Sequence, residues 1–490
     1  MTKDMSSEAL EAVMQTAWQA YHEYRNTSLK QRAGFMKAIA KELEACGDAL
    51  ISTAMEETNL PEARLRGERA RTIFQLNSYA DACERGQWMD IRIDTAMPDK
   101  MPPKPDIRKT ALALGPVVVF GASNFPFAYS TAGGDTACAL AAGCPVIVKA
   151  HPAHVETSNM VAAAILKAAL LTNMPKGVFA HVHGATEVGE ALVKHPCTKA
   201  VGFTGSYAGG KQLFDWGNER KEPIPVFAEM GSVNPVFLFP EKLSADAAAI
   251  AKMYAASITL GVGQFCTNPG IIVGIKGDNL EQFLETLSAE IQQFPPAKML
   301  HGGIAKSFAE KKLLATSQSA VETIVEVENE DSELSAAAVI TTTSAENFMF
   351  NPLLQQEVFG PYSIIVQCDD MAEMQAVADY LDGQLTATLM ATEGDLKAHT
   401  ALVERVKNIC GRFILNSVPT GVEVCLSMQH GGPFPATTDS RFTSVGADGI
   451  KRFARPVSYQ NWPDSLLPDE LKASNPWKVW RTINDVPGNN

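Results

Sequence analysis

The chain is predicted to be an α/β protein whose parallel sheets are covered by helices, and two observations carry that expectation. Short all-apolar runs recur at Pro116-Val117-Val118-Val119-Phe120, Pro145-Val146-Ile147-Val148, Val178-Phe179-Ala180, Ala200-Val201-Gly202-Phe203 and Val226-Phe227-Ala228. Ala-rich helical segments at 131–142, 156–171 and 187–194 separate them. Buried strands that alternate with helices imply a parallel sheet covered on both faces, with ligands where strands end and helices begin. At 490 residues the chain also exceeds what one core can serve, so two or more domains are expected.

Taken in order, residues 10–83 place apolar side chains at three- and four-residue spacing, which predicts helices. Inside that region Arg64, Arg66, Glu68, Arg69 and Arg71 read as a solvated helix face. The stretch Met97-Pro98-Asp99-Lys100-Met101-Pro102-Pro103-Lys104-Pro105 predicts an extended excursion outside the main core. The alternating strands and helices follow. A second βα unit begins at Val236-Phe237-Leu238-Phe239, takes in Ile271-Ile272-Val273 and a helix over 280–292, and continues past Ile364-Ile365-Val366. The tail carries Trp462, Trp477 and Trp480, costly to leave in water, and is expected to pack on the body or on a partner subunit.

Composition narrows the function. A hydrophobic content of 46% with 20% charged residues is that of a soluble globular protein. A net charge of −13 argues against nucleic acid and anionic membranes as partners. No apolar stretch has the length of a membrane span. The start, Met1-Thr2-Lys3-Asp4-Met5-Ser6-Ser7-Glu8, is unlike a secretory or transit signal. Nine scattered cysteines without CxxC suit a reducing cytoplasm. His181 and His183 share a strand face but lack a carboxylate partner, so no metal is expected.

Two loops carry chemistry. Cys266 lies in Gly261-Val262-Gly263-Gln264-Phe265-Cys266-Thr267-Asn268-Pro269-Gly270, and Glu229 in Phe227-Ala228-Glu229-Met230-Gly231-Ser232-Val233-Asn234-Pro235. A thiol is a strong nucleophile only as thiolate, and a nearby carboxylate can deprotonate it or activate water. Glycines around both let a ligand approach the main chain, whose N–H groups can stabilise an oxyanion. The loop Gly205-Ser206-Tyr207-Ala208-Gly209-Gly210 follows a strand and opens a helix, which suits a phosphate.

The two loops resemble the active-site Cys and Glu signatures of the aldehyde dehydrogenase superfamily. Ser123-Asn124-Phe125-Pro126-Phe127, Val148-Lys149-Ala150, Gly202-Phe203-Thr204-Gly205-Ser206 and Gln356-Glu357-Val358-Phe359-Gly360-Pro361 resemble its other landmarks in the same order, over residues 10–459. The resemblance implies a Rossmann-type cofactor domain at 1–94 and 114–230, a catalytic α/β domain at 231–432, and oligomerisation arms at 95–113 and 455–490. It also implies a homodimer or homotetramer.

For the chemistry, the resemblance implies oxidation of an aldehyde to an acid with a nicotinamide dinucleotide. Cys266 attacks the aldehyde, Asn124 and the Cys266 N–H hold the oxyanion, hydride passes to the nicotinamide, and Glu229 activates water against the thioester. His430 resembles a histidine of a bacterial NADP-linked branch and is a further candidate for proton transfer, with a purely structural role as the alternative. Cofactor contacts are expected from Lys149, His151, Pro152, Thr204, Gly205, Ser206, Gly210, Glu357 and Phe359. Pro152 stands where many NAD-preferring members carry Glu; without that carboxylate, and with Lys149 and His151 attracting a 2′-phosphate, NADP is expected over NAD.

The segment from Phe120 to His154 is similar to a branch that acts on 2,5-dioxopentanoate. A tunnel lined by Phe127, Phe265 and Phe434 would instead suit a long-chain fatty aldehyde, and a non-catalytic protein on the same fold is the third reading.

Overall fold

A computed structural model describes residues 5–329 and 332–488. The polar start at residues 1–4, and with it the outer edge of the expected 1–94 unit, lies outside the described residues, as do residues 489–490 of the tail.

The helical opening is four helices, Ser7–Tyr24, Leu29–Ala45, Gly47–Thr58 and Glu62–Arg85. Ser28 starts the second with a reciprocal capping box to Gln31, satisfying backbone N–H groups that a helix start leaves open. These helices pack on a five-stranded parallel sheet in the order Phe179–Val182, Val146–Lys149, Val117–Phe120, Ala200–Thr204, Val226–Glu229. Val117, Val118, Val146, Ile147, Val148, Ala200 and Val201 are fully buried, as strands covered on both faces require. Each such Val or Ile contributes about 1.5–3 kcal/mol of burial. From Val117–Phe120 the chain fills one side of the sheet, then returns to fill the other. The reversal opens a crevice at the carboxyl ends of Val117–Phe120 and Ala200–Thr204, where α/β sheets bind ligands.

A second sheet has seven strands: Glu322–Glu326, Val339–Ser344, Tyr362–Cys368, Ile271–Ile275, Val236–Leu238, Gln384–Met390 and Cys410–Leu415. Only the first pair is antiparallel. The excursion and the tail meet in a third sheet, Ala454–Gln460, Ile107–Ala113, Arg92–Asp94, Arg481–Ile483 and Val486–Gly488. Trp477 packs against the main core, while Trp462 and Trp480 stay 50% and 43% exposed. Among the described residues no helix is long and apolar enough to cross a membrane.

The expectation of a solvated face at 64–71 holds for Arg66, which is exposed and pairs with Asp48 and Glu62, but fails for Arg64, Glu68 and Arg71. Glu68 is buried, with Oε1 accepting from the Phe127 and Ala128 N–H groups at 2.8 and 3.0 Å. Arg64 and Arg71 turn inward to backbone carbonyls of Asn124 and Val422. Charge density along the sequence misled because these charges have partners in segments far along the chain, which helical periodicity cannot register.

Candidate active site

Three segments meet at the crevice. Strand Val226–Glu229 delivers Glu229 at its carboxyl end. The loop after helix Pro240–Thr259 delivers Cys266, and residues 430–444 lie alongside the strand. That last contact is a clamp: Met230 N–H donates to Ala436 O, the Ala228 N–H to the Thr438 hydroxyl at 3.0 Å, and the Thr438 N–H returns to Ala228 O. It brings His430 and Ser444 to the carboxylate.

His430 is fully buried, its Nε2 3.0 Å from Glu229 Oε1 and 3.7 Å from Cys266 Sγ. The Ser444 hydroxyl donates to Glu229 Oε2. Burial pushes the Glu229 carboxyl up, but His430 and the hydrogen bonds of Ser444 and Cys266 outweigh it, so its pKa lies below the usual range. Cys266 moves the other way: burial, then the charges of Glu229 and Glu357, push the thiol well above its ordinary range. The resting thiol is therefore protonated at neutral pH and needs a base. His430 is placed to be that base, with Glu229 as counter-ion.

The nucleophile loop is held by strain and by one amide. Val262 and Gly263 adopt left-handed backbone, φ 59° and 63°. A Cβ on Gly263 would sit 2.2 Å from the Gly360 carbonyl, so only glycine lets this loop touch the segment that carries Glu357. A β-branched residue in that conformation is costly and persists where the surroundings enforce it. The Asn234 amide donates to the Cys266 and Asn268 carbonyls, both at 2.9 Å, and its oxygen accepts from Thr386.

Asn124 lines the inner cavity with Cys266, and its amide nitrogen donates to the Gln264 carbonyl at 3.1 Å. The same cavity takes in Thr204, Gly205, Ser206, Glu357 and Phe359. Burial pushes the Glu357 carboxyl up to about 7 against the opposing Lys311 charge. Ser206 caps helix Tyr207–Asn218. On the far side of that helix start opens a wider cleft with Lys149, Pro152, Glu57, Glu156 and Gly209. The two cavities flank a helix N-terminus, which fits the pyrophosphate of a dinucleotide between two open ends.

Four expected contacts lie elsewhere. His151 stacks on His154 with ring centroids 5.4 Å apart, and burial lowers its pKa to about 3. Its ring is neutral at physiological pH and cannot attract a 2′-phosphate. Gly210 is buried, and a Cβ there would meet Met230 Cγ at 2.5 Å; it serves helix–sheet packing, and its neighbour Gly209 faces the cleft. Phe127 is fully buried in the main core, whereas the Phe125 ring lies 5.6 Å from that of Phe265. Phe434 is 55% exposed against Tyr207 on the opening beyond Ser206, apart from Phe265.

Sequence reasoning missed Asn234, Ser444 and Glu57. Asn234 stood inside the quoted Glu229 loop, followed by Pro235, and its polar side chain in an apolar setting was a usable signal. Ser444 and Glu57 carried none, because tertiary contact alone brings them in.

The model of the family described as "Aldehyde dehydrogenase family" matches residues 2–442. Alpha-ketoglutaric semialdehyde dehydrogenase 2 of Azospirillum brasilense is 48% identical over 475 residues, covering 96% of this chain and 90% of the relative. Alpha-ketoglutaric semialdehyde dehydrogenase of Acinetobacter baylyi is 44% identical over 483 residues, with the same coverage. Among solved structures, succinic semialdehyde dehydrogenase from Streptococcus pyogenes in complex with NADP+ superposes with a TM-score of 0.79 at 16% identity, over 94% of this chain and 96% of the other. A 1-pyrroline-5-carboxylate dehydrogenase from Thermus with bound NAD gives 0.78 at 19% identity, over 94% and 87%. At those identities the structural likeness speaks for the fold.

Proposed function

We propose, from the premise that this chain belongs to the aldehyde dehydrogenase family and is an NAD(P)-dependent aldehyde dehydrogenase, that it oxidises 2,5-dioxopentanoate to 2-oxoglutarate. The observation that carries the chemistry is the meeting of Cys266, His430 and Glu229 at the crevice. The substrate follows the names of the two relatives above 40% identity.

In this reading His430 Nε2 takes the thiol proton and the Glu229 carboxylate stabilises the imidazolium. The thiolate attacks the aldehyde carbon, and the Asn124 amide with the Cys266 N–H holds the oxyanion of the thiohemiacetal. A bound nicotinamide dinucleotide supplies the hydride acceptor. Thr204, Gly205, Ser206, Glu357 and Phe359 hold its inner half, and Lys149 and Pro152 its outer half. The acyl group left on Cys266 as a thioester is released by water, whose proton passes to Glu229 or His430.

We assign NADP as the preferred cofactor, because Pro152 leaves its position in the cleft without a carboxylate beside Lys149. Glu57 and Glu156 also line the cleft and temper that preference. Glu57 is tied down, its two oxygens accepting from the Glu156 and Thr157 N–H groups, both at 2.8 Å, at the start of helix Val155–Leu171. The helix dipole there offsets part of its charge.

Cofactor binding is assigned to 1–94 and 114–230, catalysis to 231–432, and subunit contact to 95–113 and 455–490 in a homodimer or homotetramer. Exposed Met101, Trp462, Leu466, Trp480 and Val486 in the last two segments favour such contact. Nine unpaired thiols suit the cytoplasm. A steady-state panel of 2,5-dioxopentanoate, succinate semialdehyde and long-chain aldehydes with each cofactor tests the reading. The first should give the highest kcat/KM, and a preference for long-chain aldehydes would reject it.

A further inference from the structure

We propose that Arg64, Arg71 and Arg412 form a cationic chamber beside Cys266 that receives the carboxylate of an anionic aldehyde, which makes the enzyme selective for short oxo acids. The inference deepens the 2,5-dioxopentanoate reading, on which it rests only for the identity of the physiological acid.

Arg64 and Arg71 stand two turns apart on helix Glu62–Arg85, and Arg412 comes from strand Cys410–Leu415. The Arg64 guanidinium lies over the rings of Phe125 and Phe265, 4.9 and 4.7 Å from their centroids. Phe265 is the neighbour of the nucleophile. Arg64 Nη2 donates to the Asn124 carbonyl at 2.7 Å, so this cation touches the backbone of the proposed oxyanion donor. Tyr129, 5.2 Å from the Phe125 ring and 6.3 Å from that of His430, feels the charges of both Arg71 and Arg412. The charge of Arg412 also reaches Cys266.

These cations are incompletely paired. Their hydrogen bonds go to neutral backbone carbonyls: Asn124 for Arg64, Val422 for Arg71, Pro419 and Gly421 for Arg412. Arg64 Nη1, Arg71 Nε and Nη2, and Arg412 Nε are buried without a partner. Among the described residues none of the three forms an ion pair with a carboxylate. The carboxylate closest to them in charge is Glu68, beside Arg64 and Arg71; its Oε1 is spent on two N–H groups and burial pushes its pKa up. The charges of Glu229 and Glu357 also reach Cys266, and that of Glu229 reaches Tyr129, yet neither carboxylate pairs with any of the three guanidinium groups. Guanidinium nitrogens buried without a partner are costly, and a ligand carboxylate would complete them. The planar guanidinium fork suits that group, and the phenyl faces on Arg64 hold it in place.

The competing role is mechanical: Arg71 and Arg412 fasten the segment 419–422 and nothing more. Kinetics separate the two. 5-Oxopentanoate and pentanal have the same carbon count and differ in the carboxylate. Wild-type enzyme with saturating cofactor should favour 5-oxopentanoate. In Arg412→Gln and Arg71→Gln, kcat/KM for 5-oxopentanoate should fall by roughly ten- to a hundredfold more than for pentanal, chiefly through KM. Arg412→Lys should recover part of the loss. Equal losses on both aldehydes, or a wild type indifferent to the carboxylate, would overturn the chamber. Should a variant fail to fold, the wild type still decides: glutarate should compete with pentanal and dimethyl glutarate should not, whereas equal behaviour of the two overturns the proposal. A preference for 5-oxopentanoate with no turnover of 2,5-dioxopentanoate would retain the chamber and reject the substrate assignment.

Discussion

His430 Nε2 sits 3.0 Å from the Glu229 carboxylate, and that same nitrogen is the one 3.7 Å from the Cys266 sulfur. One proton on Nε2 can therefore face either the carboxylate or the thiolate. In the proposed mechanism this arrangement would join two tasks: making the nucleophile and, later, making the hydrolytic water basic.

The first consequence concerns the thiol. Because burial and the nearby carboxylates keep Cys266 protonated at rest, alkylation by iodoacetamide should speed up as pH rises through the neutral range. In His430→Asn the rate at pH 7 should fall by about a hundredfold, within the usual range for losing a general base. An unchanged rate would remove His430 from the activation step.

Glu229→Gln keeps the shape and removes the charge. The expected outcome is a burst of reduced cofactor followed by a slow steady state, since acyl transfer to Cys266 survives better than hydrolysis. A steady rate equal to wild type would mean that His430 alone activates water.

In the proposed reading, cofactor choice rests on charge in the outer cleft. Pro152→Glu should move the kcat/KM ratio toward NAD, by about 1–3 kcal/mol for a close, partly solvated pair. Glu57→Gln should move it toward NADP, because one of the two carboxylates in the cleft is neutralised. A wild type that prefers NAD, with Glu57→Gln leaving the ratio unmoved, would show that neither residue sets the choice.

Most of this frame was legible in the sequence, and the misses share a cause. The apolar runs at 116–120, 145–148 and 200–203 announced the parallel sheet, because strands buried on both faces show no alternation. Glu229, Cys266 and His430 were visible through their loops. What the sequence could not convey was which side of a segment faces the cleft. His151 and Gly210 point into packing rather than toward the cofactor, and Phe127 enters the core two residues after Phe125 meets Phe265. The inward arginines were hidden for the same reason, since their carbonyl partners at Asn124, Pro419, Gly421 and Val422 lie far along the chain.

Stability should weaken in mild acid. His151, His154, His181 and His301 all have pKa values lowered by burial, His151 to about 3 and His181 to about 4. Below about 6.5 the unfolded chain takes up protons that these folded rings refuse. Their contribution is present above that pH and is lost as pH falls toward the folded values. The melting temperature should drop between pH 7 and 5, and His151→Gln should flatten the drop. A variant with the same slope as wild type would show that His151 has little part in it.

The central claim is that oxidation runs through an acyl group on Cys266 that Glu229 helps to release. The most direct measurement is the intact mass of Glu229→Gln, quenched in acid within the burst with 2,5-dioxopentanoate and NADP, followed by peptide mapping. The account predicts one added acyl group per chain, located on Cys266 and absent in Cys266→Ala. Reduced cofactor formed at the burst rate with no mass added at Cys266, or turnover by Cys266→Ala, would contradict it.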